Sequence, residues 1–313
     1  MTDQNILPKQ LDDTPTIAVI ILTLNQLEKT VRCLESFALI NPRPAVKMLL
    51  WDNGSKDKTS SVIQERYPNV AVYYSPDNLG VAGGRNKASA QAIELFSPDF
   101  LFFIDNDMTI EPDTLSYLLA PFSEPKMAQT TGKILDMFEP DRIYGAGGCQ
   151  VRFWLGDTNH IGFGEKDLGQ YDRAKSCLPS GGCMLIRADI FKQFDGFDET
   201  FNPYGPEDLD LGMRIKRAGY ESWYVPEAVV YHEPHPGRTF GGGGYSQAYA
   251  DNRAKQWFRF MKRHAPLYGK IGFYCLGAPY LLINIIKREI SRNNLGPALK
   301  GLWNGFRNEI LSS

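Results

Sequence analysis

Apolar and polar positions follow one another in blocks through the first part of the chain, in the order strand, helix, strand, helix. The first block, Thr16 to Leu24, is a continuous apolar and β-branched run, typical of a strand buried on both faces of a parallel sheet. Leu27 to Ala38 follows it with apolar residues at helical spacing. Further strands are predicted at residues 46–51, 70–74 and 100–104, with helices between them. This alternation predicts βαβ units with right-handed crossovers, and therefore an α/β fold with a doubly wound, mostly parallel sheet flanked by helices.

The regular alternation weakens after residue 108, and a second half of different character begins there. The domain division predicted from the pattern is a catalytic domain over residues 16–265, preceded by a disordered lead-in over residues 1–15. Within the catalytic domain, residues 16–107 form a nucleotide-binding half and residues 108–265 an acceptor half. Residues 266–313 are predicted to be a basic, amphipathic helical tail. Predicted elements of the second half are a helix at 112–122, a strand at 127–134, an irregular hairpin region at 141–171, a strand at 183–186, helices at 188–194 and 207–218, and a short strand ending at His232.

Composition places the chain among folded globular proteins, because 43% of its 313 residues are hydrophobic. The five cysteines are odd in number, scattered and without a C-x-x-C pair, which argues against a disulfide framework and against a zinc ribbon. The first fourteen residues are polar and lack the apolar core of a secretion signal. We therefore expect a cytoplasmic protein in a reducing compartment.

Charge is distributed unevenly along the chain. Residues 1–251 carry 23 Lys/Arg and 34 Asp/Glu, a net charge of −11, whereas residues 252–313 carry 11 and 2, a net charge of +9. A basic segment can bind nucleic acid or anionic lipid, and the apolar content of residues 266–313 favours lipid over nucleic acid. The tail is therefore predicted to lie on the inner face of the plasma membrane. The alternative is that it packs on the catalytic domain or on a second subunit of a homo-oligomer.

Two carboxylates lie one residue apart where the apolar run of residues 100–104 ends, in Asp105-Asn106-Asp107. Ligands of open α/β sheets collect outside the carboxyl ends of the strands, and carboxylates there hold Mg²⁺ or Mn²⁺ together with substrate phosphates. The alternative is a polar turn after a strand, since Asp and Asn are common turn formers. The other three strands also end in polar or Gly-rich sequence, so we expect all four ends to converge on one ligand.

The chain resembles family 2 glycosyltransferases with the GT-A fold, in particular bacterial rhamnosyltransferase-like and galactofuranosyltransferase-like enzymes of surface polysaccharide synthesis. The match spans about residues 16–265, and its specificity lies in the order and spacing of several short motifs. These motifs are Thr23-Leu24-Asn25, Asp52-Asn53-Gly54-Ser55, Asn78-Leu79-Gly80 with Gly84-Arg85-Asn86, Asp105-Asn106-Asp107, Ser180-Gly181-Gly182, Gly196-Phe197-Asp198-Glu199, Glu207-Asp208-Leu209-Asp210 and Tyr231-His232.

The resemblance implies an inverting, metal-dependent transfer from a UDP- or dTDP-linked sugar to a hydroxyl of a glycan or lipid-linked saccharide. Asp52 is placed to accept a hydrogen bond from a pyrimidine N–H, with a structural Asx-turn as the alternative. Arg85, at the start of a helix after a Gly-rich loop, is suited to a diphosphate, with a surface arginine as the alternative. The residues assigned to the donor are Thr23, Asn25, Asp52, Asn53, Arg85 and Asp105.

Glu207 and Asp208 form a second acidic cluster at the start of a predicted helix. An inverting transfer needs a carboxylate that takes a proton from the acceptor hydroxyl, and the resemblance assigns this role to Asp208, with Glu207 orienting it or binding acceptor hydroxyls. The alternative is that both residues only stabilise the helix N-terminus, and Asp210 is assigned no more than that. Acceptor contacts are assigned to Gly181, Gly182 and Tyr204.

The resemblance assigns the metal, Mn²⁺ or Mg²⁺, to Asp105, Asp107 and His232. Imidazole beside carboxylate suits Mn²⁺ as well as Mg²⁺. A lone histidine after a strand is more often a hydrogen-bonded structural residue, and His235 is a second candidate for the ligand. Two other functions stay open from the sequence: a nucleotidyltransferase, which would carry a basic Gly-rich loop after its first strand, and a non-catalytic nucleotide- or glycan-binding module.

Overall fold

The computed structural model describes residues 14–40, 44–203, 205–234, 247–280, 283 and 295–307. Tyr204, the predicted acceptor contact, lies outside these residues, as do His235, residues 1–13 of the predicted lead-in and most of 281–294 and 308–313 in the predicted tail. All five cysteines are free thiols, which agrees with the absence of a disulfide framework predicted from their spacing.

The first half forms the parallel part of the main sheet, as its hydrophobic blocks predict. Its central strand pairs in parallel with a neighbour on each side, and the register sets Thr23 opposite Asp52 and Leu22 opposite Asp105. The carboxyl ends of these strands therefore meet at one edge. The strands are β1 (Thr16–Thr23), β2 (Ala45–Asp52), β3 (Val70–Tyr74) and β4 (Phe100–Asp105), with helices α1 (Leu27–Ser36), α2 (Thr59–Arg66) and α3 (Gly80–Phe96).

The second half extends the same sheet with mixed strand directions. Its strands are β5 (Met108–Ile110), β6 (Met127–Asp136), β7 (Ile143–Ala146), β8 (Cys149–Arg152), β9 (Asp157–His160), β10 (Lys175–Ser176), β11 (Cys183–Arg187) and β12 (Glu221–His232), with helices α4 (Thr114–Leu119), α5 (Ala188–Gln193) and α6 (Glu207–Arg217). The sheet order is β10-β12-β6-β11-β4-β1-β2-β3, with β5 on β12, β7 on β6, and β8 and β9 as a separate hairpin. Because β11 is antiparallel to β4, it begins at the edge where β4 ends, with Cys183 opposite Ile104.

The last strand is longer than its sequence suggests. A short strand ending at His232 is predicted, but β12 runs for twelve residues through Pro226. The register shifts between Val225 and Val229, so the proline lies at an irregularity where its missing N–H interrupts no regular ladder. The strand thereby carries His232 to a position opposite Met108, next to the Asp105-Asn106-Asp107 triplet.

Side chains from the main sheet are buried on both of its faces. Ile17, Val19 and Ile21 of β1 belong to one hydrophobic layer, and Ala18 and Ile20 belong to the other. This division follows from the period of two along a strand. It explains why β1 is a continuous apolar run instead of an alternating one.

The helices at the C-terminal end are α7 (Gln247–His264), α8 (Leu267–Gly272), a π-helical segment (Phe273–Gly277) and α9 (Leu295–Phe306). Helix α9 packs along α7, with the ring centroids of Phe258 and Phe306 6.4 Å apart. The predicted tail was expected either on the membrane or packed on protein. Its helix α9 packs on the catalytic domain. Among the helices of the described segments, none combines the length and apolar character that crossing a membrane requires.

Candidate active site

The ends of β1, β2 and β4 and the turn before β11 meet at one edge of the sheet. The backbone N–H of Asn53 donates to the carbonyl of Thr23 at 2.9 Å, and that of Asp105 donates to the carbonyl of Gly182 at 3.1 Å. These bonds follow from the strand order, since β1 lies between β2 and β4, and β11 lies on the other side of β4. The expected convergence of motifs on one edge is therefore found.

Arg85 bonds to an acid from each half of the chain, Asp105 and Glu207. Its Nη2 donates to Oδ1 of Asp105 at 2.8 Å, and its Nη1 donates to Oε1 of Glu207 at 3.4 Å. The residue is only 7% exposed, so the alternative of a surface arginine is wrong. A planar guanidinium can bridge two carboxyl groups in this way because its N–H groups point in fixed, divergent directions.

Two glycines before β11 bring Asp208 into the same cluster. The backbone N–H of Gly181 donates to Oδ2 of Asp208 at 2.8 Å. A Cβ atom at Gly181 would overlap Nη1 of Arg85, and one at Gly182 would lie 2.6 Å from Oδ2 of Asp105. The two glycines are required here by close packing against the acids. We call Arg85, Asp105, Glu207 and Asp208 the acid–arginine cluster.

The first acid of the pair in α6 is held in its neutral form. Burial, and then the neighbouring Asp208, raise the pKa of Glu207 to about 8, while Arg85 opposes the shift. The environment therefore favours the protonated form of Glu207, which can donate a hydrogen bond. Two adjacent carboxyl groups in different environments are a common arrangement for separate acid and base roles.

Asp107 lies beside the acid–arginine cluster with its own partners. Its Oδ1 is 3.5 Å from Nε2 of His232, and its Oδ2 is 3.7 Å from Nζ of Lys29. The ring of Tyr144 stacks on His232 with centroids 4.2 Å apart, which fixes the plane of the imidazole. The pairing arises because β12 lies antiparallel to β5 directly after the Asp105-Asn106-Asp107 triplet.

Of the three residues predicted to bind a metal ion, two lie side by side in the structure. Asp107 and His232 converge, whereas one oxygen of Asp105 is paired with Arg85. Within the described part of the chain there is no group of three His, Cys, Asp or Glu side chains placed to hold a metal ion. A carboxylate and an imidazole nonetheless fit a divalent cation that takes its remaining ligands from substrate phosphates and water, as Mg²⁺ commonly does.

The loops after β1 and β2 are tied to each other by hydrogen bonds within the chain. The hydroxyl of Ser60 and the backbone N–H of Ser55 donate to Asp52, which has no exposed surface. Oδ1 of Asn25 accepts from Lys56 N–H at 2.6 Å, and Asn53 bonds to the loop before α3. Asp52 thus has structural partners, though its backbone bond runs three residues on instead of the two of an Asx-turn, and a role for Asp52 with a base stays a prediction.

A buried polar group lies beneath the end of β1. The hydroxyl of Thr23 forms a 2.8 Å hydrogen bond with the hydroxyl of Thr30 on α1. Nδ2 of Asn106 donates to both hydroxyls, at 3.2 and 3.1 Å. Thr23 and the middle residue of the triplet thus hold the turn after β4 against α1, and this fixes the direction in which Asp105 and Asp107 leave the strand.

The prediction that Asp210 only favours the helix N-terminus is wrong. Its carboxylate is fully buried and accepts from Nε of Arg214 at 2.8 Å, from Nη1 of Arg263 at 2.7 Å and from Nε2 of His264 at 2.7 Å, in the proton arrangement where that nitrogen carries hydrogen. Burial opposes ionisation, but His264, Arg263 and Arg214 outweigh it and lower the pKa of Asp210 to about 2. Asp210 therefore fastens α6 to the C-terminal end of α7.

Sequence analysis missed Lys29, His160 and Cys149 as neighbours of the site. Lys29 is an ordinary lysine on α1, and nothing in its local sequence marks it. His160 lies 3.4 Å from Sγ of Cys149 across the β8–β9 hairpin, and burial lowers its pKa while nearby Asp208 opposes this. A lone histidine in an irregular region gave no signal, because only the folding of the hairpin brings it near α6.

Comparison with protein families gives a match over most of the chain. The model described as "Glycosyltransferase like family 2" matches residues 15–259. The N-acetylglucosaminyl-diphospho-decaprenol L-rhamnosyltransferase of Mycobacterium tuberculosis (strain ATCC 25618 / H37Rv) is 31% identical over 243 residues, which cover 71% of this chain and 78% of that protein. The O-antigen chain rhamnosyltransferase WbaN of Salmonella anatum is 26% identical over 187 residues, covering 59% of this chain and 56% of that protein.

A solved structure supports the architecture. The crystal structure of GalNAc-T7 with UDP, GalNAc and Mn²⁺ superposes with a TM-score of 0.67 at 16% identity. The match covers 96% of this chain and 57% of the GalNAc-T7 chain, so the present chain corresponds to little more than half of that protein. At this level of identity the likeness concerns the fold, which is the GT-A fold expected from the motifs.

Proposed function

The chain belongs to glycosyltransferase-like family 2, and from this we propose that it transfers a sugar from a nucleoside-diphosphate sugar to a hydroxyl group, with inversion at the anomeric carbon. The family decides among the functions left open by the sequence: the chain is a glycosyltransferase of the rhamnosyltransferase-like subgroup, and neither a nucleotidyltransferase nor a binding module. The donor class that we propose is a UDP- or dTDP-linked sugar.

In the proposed reaction the donor lies across the carboxyl ends of β1, β2 and β4. Thr23, Asn25, Asp52 and Asn53 would contact the nucleotide, and the parallel register of β1 and β2, which sets Thr23 opposite Asp52, supports this. Asp105 stands at the end of β4, where it holds Arg85 close to the path of the diphosphate. The buried guanidinium keeps a positive charge at this edge without the entropy loss of ordering a flexible side chain at the moment of binding.

Asp208 is the proposed base. Gly181 N–H fixes its Oδ2, and the N–H of Leu209 fixes its Oδ1, so the carboxylate is oriented before the acceptor arrives. As the acceptor oxygen attacks the anomeric carbon, its proton passes to Asp208, and the sugar–phosphate bond breaks on the opposite face. Protonated Glu207 can donate a hydrogen bond to an acceptor or donor oxygen from the same end of α6.

Asp107 and His232 would hold the divalent cation, with Asp105 next to them. When bound, Mn²⁺ or Mg²⁺ supplies positive charge to the departing nucleoside diphosphate. Before it binds, Lys29 partly neutralises Asp107 from the side of α1. Tyr144 keeps the imidazole of His232 in one orientation against Asp107.

For the acceptor we propose a glycan or lipid-linked saccharide of surface polysaccharide synthesis, presented at the cytoplasmic face of the membrane. The printed name of the mycobacterial relative states a diphospho-decaprenol acceptor for that protein, and this supports the lipid-linked class here. Gly181 lies next to Asp208 and Gly182 next to Asp105, which supports a role for this turn on the acceptor side. Assembly as a homo-oligomer stays a prediction.

The observation that carries the proposal is the bridge from Asp105 through Arg85 to Glu207. Through it Asp105, at the end of β4, and Glu207, next to Asp208, bond to the same side chain, and this supports a shared site for donor and base. Transfer requires the reacting atoms of donor and acceptor to lie within about 3–3.5 Å of each other. Motifs that lay far apart in the structure would therefore not support a transferase site.

A thermal-shift screen of nucleotides tests the donor and metal parts together. We expect UDP or dTDP, with Mn²⁺, to raise the melting temperature more than either component alone, because ligands that bind the native state stabilise it. Asp107→Asn should abolish the Mn²⁺-dependent part of the shift. Asp113→Asn, at an exposed position on another part of the surface, is the matched control and should behave as wild type.

Turnover is then followed as release of nucleoside diphosphate from a panel of UDP- and dTDP-sugars, with a soluble saccharide or lipid-linked acceptor, and the anomeric configuration of the product is determined by NMR. The proposal requires acceptor-dependent release and an inverted product. Lack of a metal-enhanced shift with every nucleoside diphosphate, or a retained anomeric configuration, would contradict it.

A further inference from the structure

Helix α8 and the π-helical segment after it turn large apolar side chains to solvent. Leu267 and Tyr268 are 76% and 74% exposed, and Ile271 and Leu276 are each 58% exposed. Lys270 is the single charged residue among positions 266–283 of the sequence. A surface helix of a globular domain normally presents polar side chains to water, so an exposed apolar side of this extent indicates an interaction surface.

This helix lies directly on the turn of the β8–β9 hairpin. A Cβ atom at Gly269 would come 2.8 Å from Cβ of Phe153, and one at Gly272 would come 2.9 Å from Cβ of Trp154. Glycines on the inner side of α8 thus allow close contact, and Trp154 remains 49% exposed beside the helix. We call Trp154, Leu267, Tyr268, Ile271 and Leu276 the apolar ledge.

The opposite end of the same hairpin reaches the active site. Cys149 and His160 are paired there, and Cys149 packs against the buried cluster that contains Leu209, the residue that follows Asp208 in α6. Each strand of the hairpin has four residues, a length of roughly 13 Å. The ledge is therefore joined to the neighbourhood of Asp208 by one short, hydrogen-bonded element.

The net charge of the sequence segment that contains most of the ledge indicates which partner the ledge binds. Residues 252–288 of the sequence contain no acidic residue, and residues 252–313 carry a net charge of +9. Tryptophan and tyrosine on the ledge are amphipathic side chains that favour the boundary between lipid headgroups and acyl chains. Apolar and aromatic side chains with Lys270 as their one charged neighbour in sequence, in a segment of positive net charge and on a helix that does not span a membrane, match the chemistry of an anionic bilayer surface.

We propose that the apolar ledge docks on an anionic lipid bilayer and that the β8–β9 hairpin then sets the distance and orientation of Asp208 above that surface. The second part rests on the proposed function, because it gives a lipid-linked acceptor a fixed path to the base. Docking itself needs neither donor nor metal. The covering of this face by a second copy of the chain is the competing occupant.

Binding to vesicles tests the proposal with the full chain. The probes are vesicles of phosphatidylcholine alone and of phosphatidylcholine mixed with phosphatidylglycerol, with binding measured by co-sedimentation at low and high salt. We expect wild type to bind the anionic vesicles at least about tenfold more tightly than the neutral ones. Leu267→Ser/Ile271→Ser should weaken this binding by at least about tenfold, because both side chains lose their apolar contact with the bilayer.

The matched control is Leu39→Ser/Leu168→Ser, which removes two leucines of similar exposure, 74% and 83%, from other surfaces. It should bind anionic vesicles as wild type does. Equal vesicle binding by the ledge variant and wild type, with unchanged melting temperatures, would overturn the proposal. So would a wild-type dimer, seen by light scattering, that the ledge variant converts to monomer without any vesicle binding.

Failure of docking and failure of the proposed function give different results. Vesicle binding is measured without donor, so its outcome does not depend on turnover. Release of nucleoside diphosphate with a soluble acceptor should be unchanged in the ledge variant, because no ledge residue contacts the acid–arginine cluster. With a lipid-linked acceptor in anionic vesicles, the same variant should lose activity in proportion to its loss of binding.

Discussion

The first turn of helix α6 contains two acidic residues, three positions apart, whose pKa values are shifted in opposite directions. Glu207 faces Arg85 and Asp208 at the sheet edge, and its pKa is raised to about 8. Asp210, almost one helical turn further along, faces Arg214, Arg263 and His264, and its pKa is lowered to about 2. Both residues are buried, so burial alone does not separate them.

The difference lies in the number of basic side chains that bond to each acid. At the sheet edge one guanidinium is shared between Glu207 and Asp105, while Asp208 adds a further carboxyl group, so negative charge is incompletely compensated. At Asp210 three basic side chains meet one carboxylate. Incomplete compensation costs stability and is typical of functional sites, whereas full compensation joins two helices. We therefore expect mutations at the two sites to separate activity from stability.

The largest effect is expected for Asp208→Asn. The amide keeps the shape of the side chain and can still accept from Gly181 N–H, but it cannot take the acceptor proton. We expect turnover to fall by about 10²–10⁴-fold, with a change in the free energy of unfolding within about 1 kcal/mol. Nucleoside diphosphate release and urea unfolding measure the two quantities. Undiminished turnover would remove Asp208 from the role of base.

Asp210→Asn should show the reverse pattern. Loss of the negative charge leaves Arg214, Arg263 and buried His264 without their common partner, so we expect the protein to lose about 2–4 kcal/mol of stability. Activity per folded molecule should stay within about threefold of wild type, because Asp210 contacts no residue of the acid–arginine cluster. The comparison between the two sites would break down if Asp210→Asn unfolded normally but lost turnover.

The pH dependence of stability sharpens the comparison through Glu207. Its pKa in the fold, about 8, lies above the ordinary value of 4.5, so its contribution is complete below pH 4.5 and is lost as pH rises towards 8. We expect Glu207→Gln to lose less stability than wild type between about pH 5 and about pH 8. Glu94→Gln, at an exposed position on α3, is the control. Parallel pH profiles for wild type and Glu207→Gln would contradict the raised pKa.

Asp210 makes the opposite pH prediction. Its pKa in the fold, about 2, lies below the ordinary value of 3.8, so its stabilising contribution is present above pH 3.8 and is lost as pH falls towards 2. Asp210→Asn should therefore show a shallower acid-induced loss of stability than wild type. Urea unfolding across the acid range measures it, and equal slopes for both proteins would count against the pairing of Asp210 with Arg214, Arg263 and His264.

The smallest effect is expected at Lys29, which extends the comparison to Asp107. Lys29 Nζ lies 3.7 Å from Asp107 and 3.4 Å from Glu233, so it competes with a divalent cation for the same negative charge. Lys29→Met should tighten Mn²⁺ binding by about five- to tenfold. Lys29→Arg, which keeps the charge, should change it little. Free Mn²⁺ measured by electron paramagnetic resonance reports the affinity, and weaker binding in Lys29→Met would show that the lysine orients Asp107 instead.

Several features of the fold were predictable from local sequence. The strand bounds of the first half agree with the structure to within about one residue at each end, and β3 agrees fully at Val70–Tyr74. Continuous apolar runs set those strands, because a strand buried on both faces tolerates few polar residues. The last strand was predicted too short, since Pro226 interrupts its pattern and only pairing with β6 and β5 carries the strand past it.

The sequence by itself determined the family, the sheet edge at which the motifs collect, and the residue types available for the chemistry. Periodicity and the order of motifs can be read directly from the sequence. Only the tertiary structure decided which of those residues touch. Arg85 bonds to Glu207, 122 positions later in the sequence, and Asp210 bonds to His264, 54 positions later. Glu207 and Asp210 differ in pKa because packing chooses their partners, and residue spacing along the chain does not encode that choice.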